Sequence, residues 1–164
     1  MRLLLLATLI LIPALLIGQQ PAPVGCVGPN QRAFDYWVGE WVVADTTGRD
    51  IAESSVTLLA DGCALLEQWR PKGGQTGTSL NWFERSEMKW HQVWLSGSNP
   101  SVLFVGGTTD GTMRMTTLGK DHTGQWARMT WLRREHGVVR QVFENSTDGT
   151  NWKASFVGDY RRKP

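Results

Sequence analysis

The stretch Phe34-Asp35-Tyr36-Trp37-Val38-Gly39-Glu40-Trp41, followed at once by Val42-Val43, decides how this chain folds. It places four aromatic residues within eight positions and sets a glycine between the two tryptophans. Glycine inside such a run marks a point where a strand bends or where another backbone approaches closely. We interpret the stretch as the beginning of the first strand of a small antiparallel β-barrel. The simplest role for its aromatic residues is a hydrophobic plug without chemistry.

The composition favours an all-β protein of one domain. The 164 residues are enough to close a hydrophobic core without help from metals or many disulfides. The chain has nine tryptophans but only two tyrosines and five phenylalanines. Aromatic residues suit the inward positions of strands, so this excess is typical of a barrel or a sandwich rather than of a helical bundle.

Short apolar runs separated by turn residues continue to the end of the chain. Asp110-Gly111 is a two-residue hairpin signal, and Pro71-Lys72-Gly73-Gly74 is a turn by composition. We count about ten short strands and only one candidate helical turn, at Asn30–Tyr36. A sandwich would carry the same pattern. Strictly sequential hairpins favour a single antiparallel up-and-down β-barrel, and no helical crossover supports a parallel sheet.

The first residues form a targeting signal. Arg2 is followed by an apolar run from Leu3 to Ile17 and then by Gly18, which is the order of a secretory signal peptide. The run is shorter than the roughly 20 residues of a membrane span, so we expect no stable membrane insertion. The predicted organisation is a signal peptide at 1–18, an N-terminal arm at 19–33 and the barrel domain at 34–164. The protein is therefore expected to be secreted or periplasmic.

The two cysteines follow from this compartment. Cys26 and Cys63 are the only thiols in a chain bound for an oxidising environment, and a single disulfide between them is the simplest account. The alternative is a lipoprotein, because Val24-Gly25-Cys26 partly resembles a lipobox. Pro23 stands where a leucine is usual, and Cys26 lies well past the apolar run.

The charge excludes one class of partner. There are 17 basic and 15 acidic residues, and Arg2 lies in the leader, so the mature chain is close to neutral. The one basic run is the short tail Arg161-Arg162-Lys163. We therefore predict no nucleic-acid partner, and we expect a monomer.

Alternation along the strands identifies candidate ligand-binding residues. Several tryptophan-bearing faces also carry one polar residue, which is how an apolar pocket with a few convergent polar groups is built. We predict that Trp69, Trp90 and Trp94 line a cavity for a small apolar or amphipathic molecule. We expect its polar end to be oriented by Glu67, Asn81, Gln92 and Arg128. Alternatively, these groups satisfy one another inside a filled barrel, which would then act through its outer surface.

Several motifs together resemble a known family. Gly39-x-Trp41 resembles the opening signature of lipocalin-like (calycin) barrels, in which the tryptophan plugs one end. The opening stretch is also similar to that of a family of secreted bacterial lipocalin-like proteins that begin Phe-Asp-Phe-Trp-x-Gly-x-Trp and have no settled activity. The similarity extends to Gly62–Trp69, Gly77–Asn81, Trp90–Trp94 and Ser146–Gly149. It implies a barrel, an extracytoplasmic location and a basic side chain from the last strand, Arg161 or Arg162, over Trp41.

Cofactor chemistry and catalysis find little support in the residues. Some bacterial calycin barrels resemble nitrobindin, which holds haem through one histidine. Here His122 and His136 fall in turns, and His91 lies on the strand face opposite Trp90, Gln92 and Trp94. We therefore predict no cofactor and no metal site. Glu67 and Arg128 are the candidate acid–base and anion-binding groups, but neither lies in a catalytic motif. A binding protein is favoured over the alternative, a calycin-type cyclase or isomerase.

Overall fold

The computed structural model describes residues 25–97 and 100–164. The predicted signal peptide at 1–18 and the first part of the predicted arm, residues 19–24, lie outside the described residues. Among the described residues, no helix is long and apolar enough to cross a membrane. Three 3-10 turns are the helical elements described, at Asp35–Trp37, Ala60–Gly62 and Glu135–Gly137.

Ten antiparallel strands form one closed barrel, which confirms the predicted fold class. Each strand pairs with the next along the chain, and the last strand pairs with the first. The strands are β1 (Gly39–Ala44), β2 (Asp50–Leu59), β3 (Ala64–Pro71), β4 (Gly77–Glu84), β5 (Lys89–Ser96), β6 (Val102–Thr109), β7 (Thr112–Thr117), β8 (Trp126–Arg133), β9 (Val139–Ser146) and β10 (Lys153–Arg162).

Alternating side chains create the interior of the barrel. On β7 the side chains of Met113 and Met115 are fully buried, while Arg114 between them is exposed. The register then matches inward residues of neighbouring strands, for example Met115 opposite Met129. Successive side chains in a strand point to opposite faces, so this pairing keeps the inward residues of neighbouring strands on one face of the sheet.

An aromatic plug closes one end of the barrel. It consists of Phe34, Trp37, Trp41, Trp90 and Trp131, all nearly inaccessible to solvent. The connections after the even-numbered strands β2, β4, β6 and β8 lie at this closed end, because consecutive antiparallel strands alternate in direction. The connections after the odd-numbered strands lie at the opposite, open end.

The plug begins before the first strand. The helical turn expected at Asn30–Tyr36 lies later in the chain, at Asp35–Trp37, and Trp37 belongs to this turn rather than to β1. The ring of Phe34 stacks on Trp37 at 4.9 Å between centroids and meets the edge of Trp131 at 5.1 Å. A turn at this point folds the rings of Phe34 and Trp37 inward over the closed end of the barrel. An extended strand could not do this, because residues three apart point to opposite faces.

Trp41 and Arg162 form the predicted lid of the plug. The guanidinium carbon of Arg162 lies 4.2 Å from the centre of the Trp41 ring, so Arg162 rather than Arg161 faces inward. Its Nη1 also donates a hydrogen bond of 2.7 Å to the carbonyl oxygen of Val38. Gly39 has a positive φ of 146°, and a Cβ at this position would overlap the Arg162 guanidinium. Glycine is therefore required for the arginine to cover the indole.

A disulfide between Cys26 and Cys63 anchors the described part of the arm, residues 25–33, to the closed end. The predicted pairing of the two cysteines is confirmed. A sulfur in a disulfide cannot also carry a thioether-linked lipid, so this bond argues against the lipoprotein alternative. The carbonyl oxygen of Asn30 accepts a hydrogen bond of 3.0 Å from the Trp90 indole nitrogen, which seats the arm on the plug.

Candidate functional site

The open end of the barrel leads into a cavity of about 860 Å³. A volume of this size lies within the range of small-molecule sites in proteins. The cavity reaches down to the middle of the barrel, where the plug begins. Its inner lining is formed by Glu67, Trp69, Gln92, Trp94, Phe104, Ala127, Met129, Gln141, Phe143, Phe156 and Tyr160.

The walls of the cavity are aromatic. The ring of Trp69 meets the edge of Phe156 at 5.9 Å, and Phe104 meets the edge of Phe143 at 6.2 Å. The outer edge of the Trp94 ring lies against Gly77, where a Cβ would overlap it. Glycine at this register position therefore lets a large side chain of the wall pack against the neighbouring backbone.

The floor of the cavity is polar, and its centre is the carboxyl group of Glu67. Oε1 of Glu67 accepts hydrogen bonds from the Ser54 hydroxyl at 2.9 Å and the Tyr160 hydroxyl at 3.1 Å. Oε2 accepts a third from the Ser79 hydroxyl at 3.1 Å. These bonds favour the ionised form, but burial outweighs them and raises the pKa of Glu67 to about 7. The carboxyl group that faces the lumen therefore changes its protonation state near neutral pH.

Tyr160 links Glu67 to the other side of the floor. Its hydroxyl lies 2.8 Å from Oε1 of Gln141 as well as 3.1 Å from Glu67, yet it has one hydrogen to donate. When Glu67 is protonated, it can donate to Tyr160, and Tyr160 can donate to Gln141, so both contacts are satisfied. When Glu67 is ionised, only one of them is. Burial and the Glu67 carboxylate both raise the pKa of Tyr160, which therefore stays a neutral donor.

Asn81 and Gln92 complete the floor. The Nδ2 group of Asn81 lies 3.3 Å from the Leu65 carbonyl oxygen and 3.0 Å from the Ser79 hydroxyl. Its Oδ1 accepts a bond of 2.7 Å from Nε2 of Gln92. The Oε1 atom of Gln92 is buried and has no hydrogen-bond partner among the described residues. Gln92 lines the cavity, so the floor also holds one buried acceptor that has no partner among the described residues.

Five of the seven predicted ligand residues meet at this site. Glu67, Trp69, Gln92 and Trp94 line the cavity. Asn81 is fully buried behind Gln92 and holds its amide in place rather than facing the lumen.

The other two predicted residues lie elsewhere. Trp90 shares the inward face of β5 with Gln92, but it lies at the closed end and packs against Phe34 in the plug. The inward placement of Arg128 is wrong. Met129 and Trp131 occupy the inward positions of β8, so Arg128 points outward, where its Nε donates a bond of 2.8 Å to Glu144 on β9. Its guanidinium also lies over the Trp152 ring, with its central carbon 4.2 Å from the ring centre.

Sequence reasoning missed Gln141, Tyr160 and most of the phenylalanine wall. Gln141 lies between Val139 and Phe143 on one face of β9, which is the pattern that identified Gln92 between two tryptophans. Tyr160 is two residues before Arg162, so the arginine over Trp41 also implies that the tyrosine points inward. These signals were present in the pattern of alternation.

The histidines lie apart from one another in the barrel. His91 stacks on Trp82 on the outer face at 5.2 Å and contacts Glu87, and His122 lies at the rim of the cavity. Within residues 25–97 and 100–164, no group of three or more His, Cys, Asp or Glu side chains could hold a metal ion. The arrangement is suited to binding a molecule and to exchanging one proton at Glu67.

No protein-family model matches the sequence, and no curated protein matches it at a significant level.

Proposed function

We propose that this protein is an exported binding protein that holds a small amphipathic molecule in the barrel lumen. The observation that carries the proposal is a cavity of about 860 Å³ with aromatic walls and a polar floor at its deep end. A filled barrel would bring its inner side chains into contact and would leave no such volume. The polar end of the ligand would rest on Glu67 and Gln92, and its apolar part would lie between Trp69, Trp94 and Phe143.

The energetics of such a site favour a ligand with an apolar chain or ring system. Each methylene group buried from water contributes about 0.8 kcal/mol, and the walls can cover several of them. Association and desolvation of the polar floor oppose this gain. Glu67 and Gln92 are held in place by hydrogen bonds with Ser54, Ser79, Tyr160 and Asn81, so little ordering is left for the ligand to impose.

A blocked cavity tests the proposal. Ala127 lies on the inward face of β8 and lines the cavity, so Ala127→Trp should fill it. We expect this variant to lose binding of a hydrophobic fluorescent probe by at least about tenfold, and the ligand-induced change in tryptophan fluorescence should disappear. The matched control is Leu80→Trp, at an outward position on β4 that is 37% exposed and outside the cavity lining. Equal probe binding by both folded variants would place the probe outside the lumen and contradict the proposal.

Export is part of the same proposal. It is supported by the order of charged, apolar and small residues at 1–18 and by the disulfide, a bond that persists in oxidising compartments. The resemblance of the opening stretch to that of secreted lipocalin-like proteins also supports it. The closed barrel leaves no free strand edge, which is compatible with a monomer. Mass spectrometry of protein from its host should find an N-terminus near Gln19. A full-length chain in the cytosolic fraction would contradict export.

One observation favours a second candidate, an interaction module that works through its outer surface. Leu66, Leu80, Val93 and Leu103 lie directly opposite one another across β3 to β6 on the outside of the barrel. Leu80 and Leu103 are exposed, and a shallow depression of about 610 Å³ lies beside this row. Leu80→Lys should abolish a partner complex through this row and should leave lumen binding unchanged.

A further inference from the structure

We propose that the polar end of the bound molecule is a hydrogen-bond donor without negative charge, an alcohol or an amine rather than a carboxylate. This inference rests on the proposed function, since it concerns the head group that reaches the cavity floor. It follows from three features of the floor: the orientation of the Gln92 amide, the sign of the buried charge and the shortage of free donors.

The orientation of Gln92 is set by a chain of contacts that begins at the backbone. The Leu65 carbonyl oxygen can only accept a hydrogen bond, so Asn81 must turn its Nδ2 toward it. Asn81 then presents Oδ1 to Gln92, and Gln92 must offer Nε2 in return. The Oε1 atom of Gln92 is left without a partner among the described residues, although the side chain is only 1% exposed.

A buried acceptor of this kind needs a donor from the ligand. An unsatisfied buried carbonyl oxygen carries the full desolvation penalty of that group, and a hydroxyl or ammonium group at the floor would remove it. A carboxylate would instead place a second acceptor against the first. The geometry therefore selects against anionic head groups at the position of Gln92.

The charge at the floor acts in the same direction. Glu67 is the titratable carboxyl group facing this part of the lumen. The groups that contact it are Ser54 on β2, Ser79 on β4 and Tyr160 on β10, and none of these carries a positive charge. The inward arginine, Arg162, lies over Trp41 at the closed end and is committed to the Val38 carbonyl. A ligand carboxylate would therefore meet a like charge without a cation to offset it.

The hydroxyl donors of the floor are already engaged. The hydroxyls of Ser54 and Ser79 donate to Glu67, and the Tyr160 hydroxyl donates to Glu67 or Gln141. The Nε2 group of Gln141 faces the sulfur of Met129 at 3.2 Å, which is a weak acceptor. The remaining donors, the second N–H of Gln92 Nε2 and those of Gln141 Nε2, are neutral amide groups, and a carboxylate forms its strong bonds with charged donors.

The rim of the cavity differs from the floor because it carries a cationic side chain. Lys120, Asp121 and His122 line the outer part of the site, so charges of both signs lie there. A fatty acid could bind in reverse, with its carboxylate at the rim and its tail on the floor, but Gln92 Oε1 would then lie against methylene groups. A fatty acid in the reverse orientation should therefore bind more tightly when Gln92 is replaced by an apolar residue. Replacement of Gln92 thus separates the two orientations.

The test compares decan-1-ol, decylamine and decanoate, which share one chain length and differ in the head group. Affinities are measured at pH 8 by displacement of a hydrophobic fluorescent probe, with tryptophan fluorescence as a second readout. We expect the alcohol and the amine to bind at least about tenfold more tightly than decanoate. Decanoate binding as tightly as the other two would overturn the inference, while displacement itself would still support a lumen site. Failure of all three compounds and of the probe to bind would overturn the proposed function.

Gln92→Leu provides the matched variant. We expect it to weaken decan-1-ol by about fivefold, the loss of one neutral hydrogen bond, and to leave decanoate unchanged or tighter. Equal effects on both compounds would contradict a donor bond to Gln92. If the variant does not fold, as judged by near-UV circular dichroism, the ranking of head groups on the native protein still decides the question.

Discussion

The closed end and the open half of the barrel are built from the same strands and differ in how their interior is filled. β5 contributes Trp90 to the plug and Trp94 to the cavity wall, two inward positions of one strand. At the closed end, aromatic rings contact one another from Phe34 through Trp37 to Trp131. In the open half, the aromatic residues stand around a cavity, and polar groups cover its floor.

This contrast indicates that the two ends of the barrel contribute differently to stability and to binding. The plug buries large aromatic side chains that pack against one another, and such burial is a major source of stability. The cavity leaves its walls incompletely covered and buries a carboxyl group, both of which oppose folding. We infer that stability is concentrated at the closed end and binding at the open end. The following predictions test that division.

The largest difference is expected between two tryptophans. Trp41 is fully buried, and its indole nitrogen donates a bond of 2.9 Å to the Trp37 carbonyl oxygen. Trp41→Ala should lower the free energy of unfolding by about 3–5 kcal/mol. Trp94→Ala should cost about 1 kcal/mol, because part of that ring already faces the cavity, but it should weaken probe binding. Chemical denaturation measures both. Equal losses of stability would show that the two ends do not differ.

The buried carboxyl group of the floor should make stability depend on pH. Unfolding returns Glu67 from a pKa of about 7 to its ordinary value near 4.5, so the folded protein binds one more proton than the unfolded chain between these values. The contribution of Glu67 to the free energy of unfolding is therefore fully present below about pH 4.5 and is lost as the pH rises to about 7. The loss is at most about 3 kcal/mol. Denaturation curves at several pH values measure this slope.

The control for the pH dependence is Glu67→Gln, which removes the titrating group and keeps its shape. The exposed carboxyl group of Asp45, whose pKa is lowered to about 2 by the Thr47 and Arg49 hydrogen bonds, loses its contribution only below about pH 4. It therefore does not overlap with the Glu67 window. A slope that persists in Glu67→Gln would assign the dependence to another group.

The smallest expected difference is between two neighbouring arginines. Arg162→Ala removes the cation over Trp41 and the bond to Val38, and should cost about 1–2 kcal/mol. Arg161 points outward and pairs with Asp50 on the surface, so Arg161→Ala should cost less than about 0.5 kcal/mol. Thermal unfolding of the two variants compares them directly. Indistinguishable melting temperatures would show that the contact of Arg162 with Trp41 does not stabilise the plug.

The fold could be predicted from the sequence more completely than the site. Alternation and turn residues predict ten strands, and the Gly39-x-Trp41 pattern predicts which end is closed. Alternation assigns a residue to a face but not to a depth, so it could not separate Trp90 in the plug from Trp94 in the wall. Only the register between strands shows that difference.

Arg128 shows a second limit of the sequence. Its neighbours at two residues' distance, Trp126 and Thr130, made its face look like an inner wall. The outward ion pair with Glu144 depends on how β8 and β9 are aligned, and that alignment is set by the turn between them. Gln141 and Tyr160 were missed for a different reason. Alternation places both side chains inward, but it does not show that side chains from β3, β9 and β10 meet at the floor of the cavity.

The pairing of β1 with β10 has a consequence for the order of events during folding. Val38 and Arg162, joined by a hydrogen bond, are 124 residues apart in the chain, and Trp41 lies opposite Arg162 in the strand register. Contacts between such distant residues form late, because the loop between them must close first. The barrel therefore cannot close before the residues of β10 are available to pair with β1. A chain that crosses a membrane from its N-terminus would stay open until translocation ends.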